Sequence, residues 1–303
     1  MLGGSSLFNL QLNYVWSESV NVHFKDLLFM KKKWFNTEGS AAVEFAIDQK
    51  TGRECVTKLL SKSPGPFERT EAEFLRKLQH KFIIQYIAEN NFNGEIVLLM
   101  EWGGVSLSQA IQCYPKKILN NFLLYSYQMS LSLAFIHRKG VIHRDLKAAN
   151  YVLKNNIVKL IDFGHATYKI VGGIKSTWLV GPPELLAGMS YDQSMDIWDL
   201  GLTFTHMVNG KHTFSEKGKD LLKNILRTFD RLSVGEIPEY DVWYSKMDKM
   251  DQQVDYAEKI SFDVKISNDF ADIINSCLHI NPTKRITSEE LSNHSAYSKF
   301  NDC

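Results

Sequence analysis

The stretch His143-Arg144-Asp145-Leu146-Lys147-Ala148-Ala149-Asn150 decides how this chain is interpreted, because it places a carboxylate, an ammonium group and a carboxamide within one short segment. It follows an apolar segment with helical periodicity, and Asp162-Phe163-Gly164 brings a second carboxylate shortly afterwards. A polar loop between a helix and a strand would explain either motif alone. It does not explain both motifs in this order, so the pair indicates a site for chemistry.

The composition of the 303-residue chain is that of an ordinary globular protein. Hydrophobic residues make up 44% and charged residues 23%, which is enough apolar surface for one large domain or two lobes. The formal net charge of +1 provides no overall field that favours nucleic acid or an anionic membrane. We interpret the run Lys31-Lys32-Lys33 as a solvated strand edge, and we expect no nucleic-acid partner.

The cysteine pattern argues against a zinc site and against a disulfide framework, because the cysteines are far apart and form no C-x-x-C pair. The four are Cys55, Cys113, Cys277 and Cys303. No apolar run is long enough to cross a bilayer. The start at Met1-Leu2 shows neither a signal peptide nor the glycine that myristoylation needs. These features predict no membrane segment and a cytoplasmic or nuclear location.

Strand patterns come before helical patterns along the chain, which favours an α+β fold. Residues 1–30 alternate weakly and are interpreted as an N-terminal extension of unknown role. From Lys33 to Leu60 the turn signals predict a hairpin followed by a third strand. One long helix, ended by Gly140, is predicted from a buried stripe with steps of three and four residues. Its members are Ile118, Phe122, Tyr125, Met129, Leu133 and Ile136.

In their order along the chain, these motifs resemble those of eukaryotic protein kinases, from about Trp34 to the helix near Leu291. The resemblance implies an α+β, two-lobed protein-kinase-like fold, with ATP bound in the cleft between the lobes. A small, mainly β N-lobe would occupy residues 31–102, and a larger, mainly α C-lobe residues 103–303. Lys147 is typical of the serine/threonine type, and residues 177–201 add a weaker resemblance to the cyclin-dependent and mitogen-activated group.

The resemblance also implies a role for each charged residue of the two motifs. Asp145 would orient the substrate hydroxyl and accept its proton, while Lys147 would neutralise the γ-phosphate during transfer. Asn150 and Asp162 would hold Mg²⁺, with Mn²⁺ as an alternative, because such ions prefer oxygen ligands. The predicted cofactors are therefore ATP and a divalent metal ion.

A second set of positions resembles the nucleotide-binding part of the family. Lys58 matches the lysine that holds the α- and β-phosphates, and Glu71 matches the carboxylate that pairs with it. Glu73, on another face of the same helix, is the alternative partner. The nucleotide-binding positions that the resemblance implies are Val43, Val56, Lys58, Met100, Glu101, Trp102 and Val152, together with Gly39.

The glycine-rich loop of the family is altered in this chain. Its three glycine positions hold Asn36, Glu38 and Ala41, and Gly39 is displaced from them. Glycine lets backbone amides approach phosphates closely, whereas a carboxylate repels them. We predict that Glu38 points away from the phosphates and that the amides of Gly39 and Ser40 supply the contact.

The segment between Asp162 and Glu184 resembles a kinase activation segment. Arg144 would dock a phosphorylated residue of this segment. The candidates for phosphorylation are Thr167, Tyr168 and Ser176, and Thr177 would lie against the catalytic loop.

Three further matches are structural or concern specificity. Glu184 would pair with Arg285, and Asp196 would hold the backbone of the catalytic loop. Gly181 stands where the mitogen-activated group has an arginine, so we do not expect a preference for proline after the target residue.

These residues together predict an ATP-dependent protein kinase that transfers the γ-phosphoryl group to serine or threonine hydroxyls. Its partners would be protein substrates and an activating or regulatory protein. The alternative is a pseudokinase-like scaffold or allosteric interaction module whose altered loop binds nucleotide weakly. A third hypothesis is a kinase for a small-molecule hydroxyl.

Overall fold

The computed structural model describes residues 21–24, 27–35, 43–48, 51–60, 68–92, 95–168, 181–214, 221–222, 224–225, 262 and 265–300. The chain divides into two compact units, one made of Met1–Glu68 with Gln85–Trp102 and the other of Arg69–Ile84 with Gly103–Cys303. The altered loop at 36–41 and the residues Ser176 and Thr177 lie outside the described residues. What was predicted for them stays a prediction, as do the lobe limits and the role of residues 1–30.

The described part of the first unit is an antiparallel sheet. Its strands are β1 (Asn21–Phe24), β2 (Leu27–Phe35), β3 (Val43–Asp48), β4 (Glu54–Leu59), β5 (Tyr86–Phe92) and β6 (Glu95–Glu101). Their order in the sheet is β1-β2-β3-β4-β6-β5. The hairpin and third strand predicted between Lys33 and Leu60 are confirmed as β2, β3 and β4. The sheet begins earlier than that, since β1 lies within the stretch interpreted as an extension.

The alternating burial of β3 and β4 shows why these segments are strands. On one face Ala46, Cys55 and Leu99 are at most 1% exposed and form a small apolar core. Residues one position along, such as Phe45 and Val56, are half-buried on the other face. This period of two is the pattern expected of a sheet whose faces meet different environments.

The second unit is mainly helical and also holds a three-stranded sheet. Its described helices include α1 (Glu68–Lys77, beginning on the last residue of the first unit), α2 (Leu107–Cys113), α3 (Pro115–Asn120), α4 (Phe122–Arg138), α5 (Pro183–Leu186), α6 (Ser194–Asn209), α7 (Asn268–Cys277) and α8 (Ser288–Ser292). The strands are β7 (Val105–Ser106), β8 (Tyr151–Lys154) and β9 (Ile157–Leu160), adjacent in that order.

The prediction of one long helix from Ile118 was wrong in one respect, because the chain forms two helices there. Asn121 separates α3 from α4 with non-helical backbone angles, and its Nδ2 donates to the Lys117 carbonyl at 2.9 Å. Asparagine competes with the helical backbone for hydrogen bonds, and here it closes the end of α3. All six residues of the predicted stripe are nevertheless fully buried.

Helix α6 is largely buried within the second unit. Its predicted buried residues Ile197, Leu200 and Phe204 are at most 2% exposed. Gly201 lets α7 approach closely, since a Cβ at this position would lie 2.8 Å from Cys277 Cβ. The predicted α+β class is confirmed by a small β unit and a larger, mainly helical one. Within the described ranges, no helix is both long and apolar enough to cross a bilayer.

Candidate active site

Asp145 lies at the centre of a hydrogen-bonded cluster with two other polar side chains of its loop. The Lys147 ammonium lies 2.9 Å from both carboxylate oxygens of Asp145. Asn150 Nδ2 donates to the Asp145 backbone oxygen and to its Oδ2, both at 2.7 Å. The Asp145 side chain is 19% exposed and that of Lys147 is 51% exposed, so both reach solvent. The structure therefore brings together three of the residues predicted for phosphoryl transfer.

A single turn explains how residues five positions apart meet. Lys147 is extended, and Ala148–Asn150 then form one turn of 3-10 helix in which Asn150 N donates to Lys147 O at 2.8 Å. The turn folds the Asn150 side chain back onto Asp145. It also directs the chain into β8, so the loop is held from both ends.

Asn150 and Asp162, the predicted metal ligands, are brought close by the backbone. Ile161 N donates to Asn150 O at 2.9 Å, and Asp162 follows directly. Since both Nδ2 hydrogens of Asn150 point to Asp145, Oδ1 is the side-chain atom left to meet a cation. A carboxylate and a carboxamide oxygen suit Mg²⁺ or Mn²⁺. Within the described residues, no three His, Cys, Asp or Glu side chains gather as a metal cluster.

Buried Asp196, on α6, holds the backbone at the start of the loop. Its Oδ2 accepts from His143 N at 2.7 Å and its Oδ1 accepts from Arg144 N at 2.8 Å. Arg144 has a φ of 69°, a left-handed conformation that costs roughly 1–2 kcal/mol for a residue with a Cβ. The two hydrogen bonds offset that cost and fix the point from which Asp145 projects.

Sequence reasoning missed His137 and Ser288, which extend this network into the core. His137 Nε2 lies 3.0 Å from Asp196 Oδ2, and its Nδ1 lies 3.0 Å from Ser288 Oγ at the start of α8. All three side chains are less than 9% exposed. A buried histidine next to the apolar stripe of α4 was the available signal, but its partners are distant in sequence.

His143 is a neutral, fully buried ring. Burial lowers the pKa of the His143 imidazole, although the nearby carboxylates of Asp196 and Asp145 act in the opposite direction. Its Nε2 lies 3.1 Å from Ile161 O, so this nitrogen carries the hydrogen, and Nδ1 accepts from Asp145 N at 3.4 Å. The ring thereby links the loop to the segment between β9 and Asp162.

Phe163 fills the space between the loop and α1. It is 0% exposed, and its ring lies edge-on to His143 with centroids 5.0 Å apart. On its other side the Phe74 ring lies 6.4 Å away. The apolar ring fixes the turn at Asp162, whose φ of 64° is an uncommon conformation of the kind found at functional sites.

Glu71 lies on the same side of α1 as Phe74, one turn earlier. Its side chain is 2% exposed, whereas the alternative Glu73 is exposed. A Cβ placed on Gly164 would lie 3.9 Å from Glu71 Oε2 and 3.3 Å from Asp162 Oδ1. The glycine therefore leaves room for two carboxylates beside the turn, and burial favours Glu71 over Glu73 as the functional carboxylate.

The Arg144 side chain is held by groups around the segment after Asp162. Its Nε donates to His165 O at 2.6 Å, and its Nη1 donates to Tyr191 Oη at 3.2 Å. Tyr191 was not predicted as a partner. Thr167 is tied to the same region, because Thr167 and Ile142 exchange two backbone hydrogen bonds of 2.9 Å.

Glu184 and Arg285 form a buried ion pair in the second unit. Two parallel hydrogen bonds of 2.7 Å join their planar groups, and both side chains are at most 2% exposed. The remaining guanidinium hydrogens go to the carbonyls of His279, Ser194 and Ile280. All five donors of Arg285 are therefore satisfied, which is what makes a buried charge tolerable.

In the first unit, four of the predicted nucleotide-binding residues share one face of the sheet, namely Val43, Val56, Lys58 and Met100. Val43 lies opposite Lys58, and Val56 lies opposite Met100. Residues opposite each other on antiparallel strands point to the same side of the sheet. Val43, Val56 and Lys58 are half-buried there. Trp102 follows β6, and its ring lies edge-on to Phe45 with centroids 5.4 Å apart. In the second unit, half-buried Val152 lies beside Gly103, where a Cβ would be 2.3 Å from its methyl carbon.

Comparison with known proteins agrees with this arrangement. The family model described as "Protein kinase domain" matches residues 38–297. Mitogen-activated protein kinase HOG1A of Wallemia ichthyophaga is 30% identical over 273 residues, covering 84% of this chain and 73% of that protein. Mitogen-activated protein kinase 13 of Homo sapiens is 27% identical, covering 85% and 74%. Mitogen-activated protein kinase sty1 of Schizosaccharomyces pombe is 29% identical, covering 85% and 77%.

The fold and the loop around Asp145 thus define a protein kinase, and the chain belongs to the protein kinase family. Within it the chain is of the serine/threonine type and is similar to mitogen-activated protein kinases. The predicted resemblance is confirmed in both parts.

Proposed function

We propose that the protein transfers the γ-phosphoryl group of ATP to serine and threonine hydroxyls of protein substrates. The observation that carries the proposal is the preformed cluster at Asp145, in which Lys147 lies 2.9 Å from the carboxylate and Asn150 donates to it at 2.7 Å. These are the base, the phosphate-neutralising cation and a metal-ligand position of the family, at the spacing the family uses.

The reaction needs placement and charge neutralisation more than strong base chemistry. Asp145 orients the acceptor hydroxyl and receives its proton as the oxygen bonds to the γ-phosphorus and the bond to ADP breaks. Lys147 moves from Asp145 to the transferring phosphoryl oxygens, since its exposed ammonium is free to follow the charge. Asn150 Oδ1 and the Asp162 carboxylate would hold Mg²⁺ or Mn²⁺, and such an ion would neutralise phosphate charge.

In this proposal the first unit supplies the nucleotide-binding face. Lys58 fills the family position of the phosphate-holding lysine, and Glu71, which belongs to the second unit, fills that of its carboxylate partner. Val43, Val56 and Met100 would contact the base, with the backbone of Glu101 and Trp102 at its polar edge. A regulatory protein and phosphorylation of the activation segment stay predictions.

Transfer of label from radioactive ATP to a general acceptor protein tests the proposal. We expect Asp145→Asn to lower kcat at least about 100-fold, because a carboxamide neither accepts the proton nor attracts Lys147. Asp269→Asn, an exposed carboxylate in the first turn of α7, is the matched control and should keep wild-type activity. Phosphoserine and phosphothreonine in the product are expected. Equal activity of Asp145→Asn and wild type would contradict the proposal.

A nucleotide titration separates an enzyme from a scaffold. At 100 times its Kd, ATP with Mg²⁺ should raise the free energy of unfolding by about 2.7 kcal/mol, which thermal unfolding measures. No change in melting temperature at millimolar ATP, together with no transfer, would favour the scaffold.

A further inference from the structure

Tyr168 is a large ring left exposed at the surface of the second unit, yet it is packed against α1. Its side chain is 52% exposed, which sets it apart from the other large hydrophobic residues in the described parts of the chain. The ring lies on Phe74, with centroids 4.8 Å apart and planes inclined by 38°. The Lys77 ammonium, one turn further along α1, lies 5.9 Å from the same ring. Three groups on two segments therefore meet at one point.

The backbone beside Tyr168 is anchored to the loop of Asp145. The neighbouring residue Thr167 exchanges two hydrogen bonds with Ile142, and Ile142 directly precedes His143. Tyr168 is thus fixed at its backbone to the start of the catalytic loop and through its ring to α1. A change at Tyr168 would act on the distance between those two elements.

The contact continues inward through a series of rings. Phe74 is 4% exposed and lies next to Phe163, which in turn lies edge-on to His143. Glu71, Phe74 and Lys77 recur every three residues, so they lie along one side of α1. The rotation of α1 that places Phe74 under Tyr168 is therefore the rotation that buries Glu71 beside Gly164.

We propose that Tyr168 is a positioning residue, which holds α1 and its Glu71 against the Asp162–His165 turn by stacking on Phe74. Its importance for turnover rests on the proposed phosphoryl transfer, whereas its effect on α1 does not. The aromatic ring of Tyr168 supplies the stabilising contacts, since offset aromatic contacts are favourable and the cation of Lys77 is attracted to the same ring. The hydroxyl group is not needed for this role.

Hydrogen–deuterium exchange of the ligand-free protein tests the effect on α1. Tyr168→Ala should accelerate exchange of the amides of residues 72–78 about two- to tenfold, the range that corresponds to loss of one aromatic contact. Tyr168→Phe, which keeps the ring, should exchange like wild type. Glu73→Gln changes an exposed side chain of the same helix and should also exchange like wild type. Unchanged exchange in Tyr168→Ala, or equal acceleration in either control, would overturn the proposal.

Steady-state kinetics then test whether the placement of α1 reaches the reaction. We expect Tyr168→Ala to lower kcat about three- to tenfold while KM for the acceptor protein stays within twofold, and Tyr168→Phe to restore kcat. A normal kcat in Tyr168→Ala would overturn the catalytic part of the proposal. A wild-type protein without any transfer would refute the proposed function instead, and the exchange experiment would still decide the role of Tyr168.

Discussion

The guanidinium of Arg285 donates two parallel hydrogen bonds of 2.7 Å to the carboxylate of Glu184, and neither group reaches solvent. The pair joins α5, which lies at the end of the segment predicted to be the activation segment, to the turn that precedes α8. Stacking of Arg285 over Trp198, with the guanidinium carbon 5.0 Å from the ring centre, adds helix α6 to the contact. Three elements that are far apart in sequence therefore depend on one ion pair.

Breaking that pair should destabilise the protein strongly. We expect Arg285→Ala to lower the free energy of unfolding by about 3–5 kcal/mol, because the buried Glu184 carboxylate would be left without a partner. Arg138→Ala removes a pair with Glu289 whose side chains are 58% and 55% exposed, and it should cost less than about 1 kcal/mol. Urea unfolding of both variants measures the difference. Equal losses would contradict the interpretation.

Asp196→Asn should impair turnover more than substrate binding. The carboxamide presents hydrogens to one of two backbone donors, His143 N or Arg144 N, so the loop that carries Asp145 shifts. A shift of this kind costs on the order of 100-fold in kcat. Initial-rate kinetics with Asp192→Asn, an exposed carboxylate near the start of α6, as control would test this. A change confined to KM would speak against a role for Asp196 in placing the loop.

Ser288→Ala should cost stability through His137 rather than through α8. The substitution leaves His137 Nδ1 buried without its partner at 3.0 Å, which we expect to lower the free energy of unfolding by about 1–3 kcal/mol. Ser292→Ala, in the same helix, removes a hydroxyl that donates to the Glu289 carbonyl and should cost less. Denaturant unfolding compares the two. A larger loss in Ser292→Ala would contradict the importance of the His137 contact.

Lowering the pH should reduce the free energy of unfolding, partly through protonation of His206. Burial, with a smaller contribution from His212 at 4.3 Å, lowers the pKa of His206 from 6.5 to about 4. Between these values the unfolded chain binds the proton and the folded protein does not, so the free energy of unfolding falls as pH decreases from 6.5 towards 4. We expect a loss of about 2 kcal/mol at pH 5 from this group.

The variant His206→Gln removes this titration and isolates its contribution. Its unfolding free energy should depend less steeply on pH between 6.5 and 4 than that of wild type, as measured by urea unfolding at a series of pH values. Identical slopes would show that His206 is not the group responsible.

The local patterns of the sequence predicted the fold class and the residues of the catalytic loop. Turn signals between Lys33 and Leu60 predicted β3 and β4. The apolar stripe predicted the buried side of α4, because the helical period follows from backbone geometry alone. The cluster of Asp145, Lys147 and Asn150 was also predictable, since one turn of chain joins its members.

The tertiary structure alone decided the contacts that cross between distant elements. The hydrogen bonds from His137 to Asp196 and Ser288, the support of Arg144 by Tyr191, and the stacking of Tyr168 on Phe74 join residues whose separation in sequence carries no signal. The packing of α1 also determines that Glu71 is buried and Glu73 is exposed. The sequence by itself determined which reactive groups the catalytic motifs contain, since a motif is a local pattern. Their burial and orientation depend on packing between elements, which no local pattern contains.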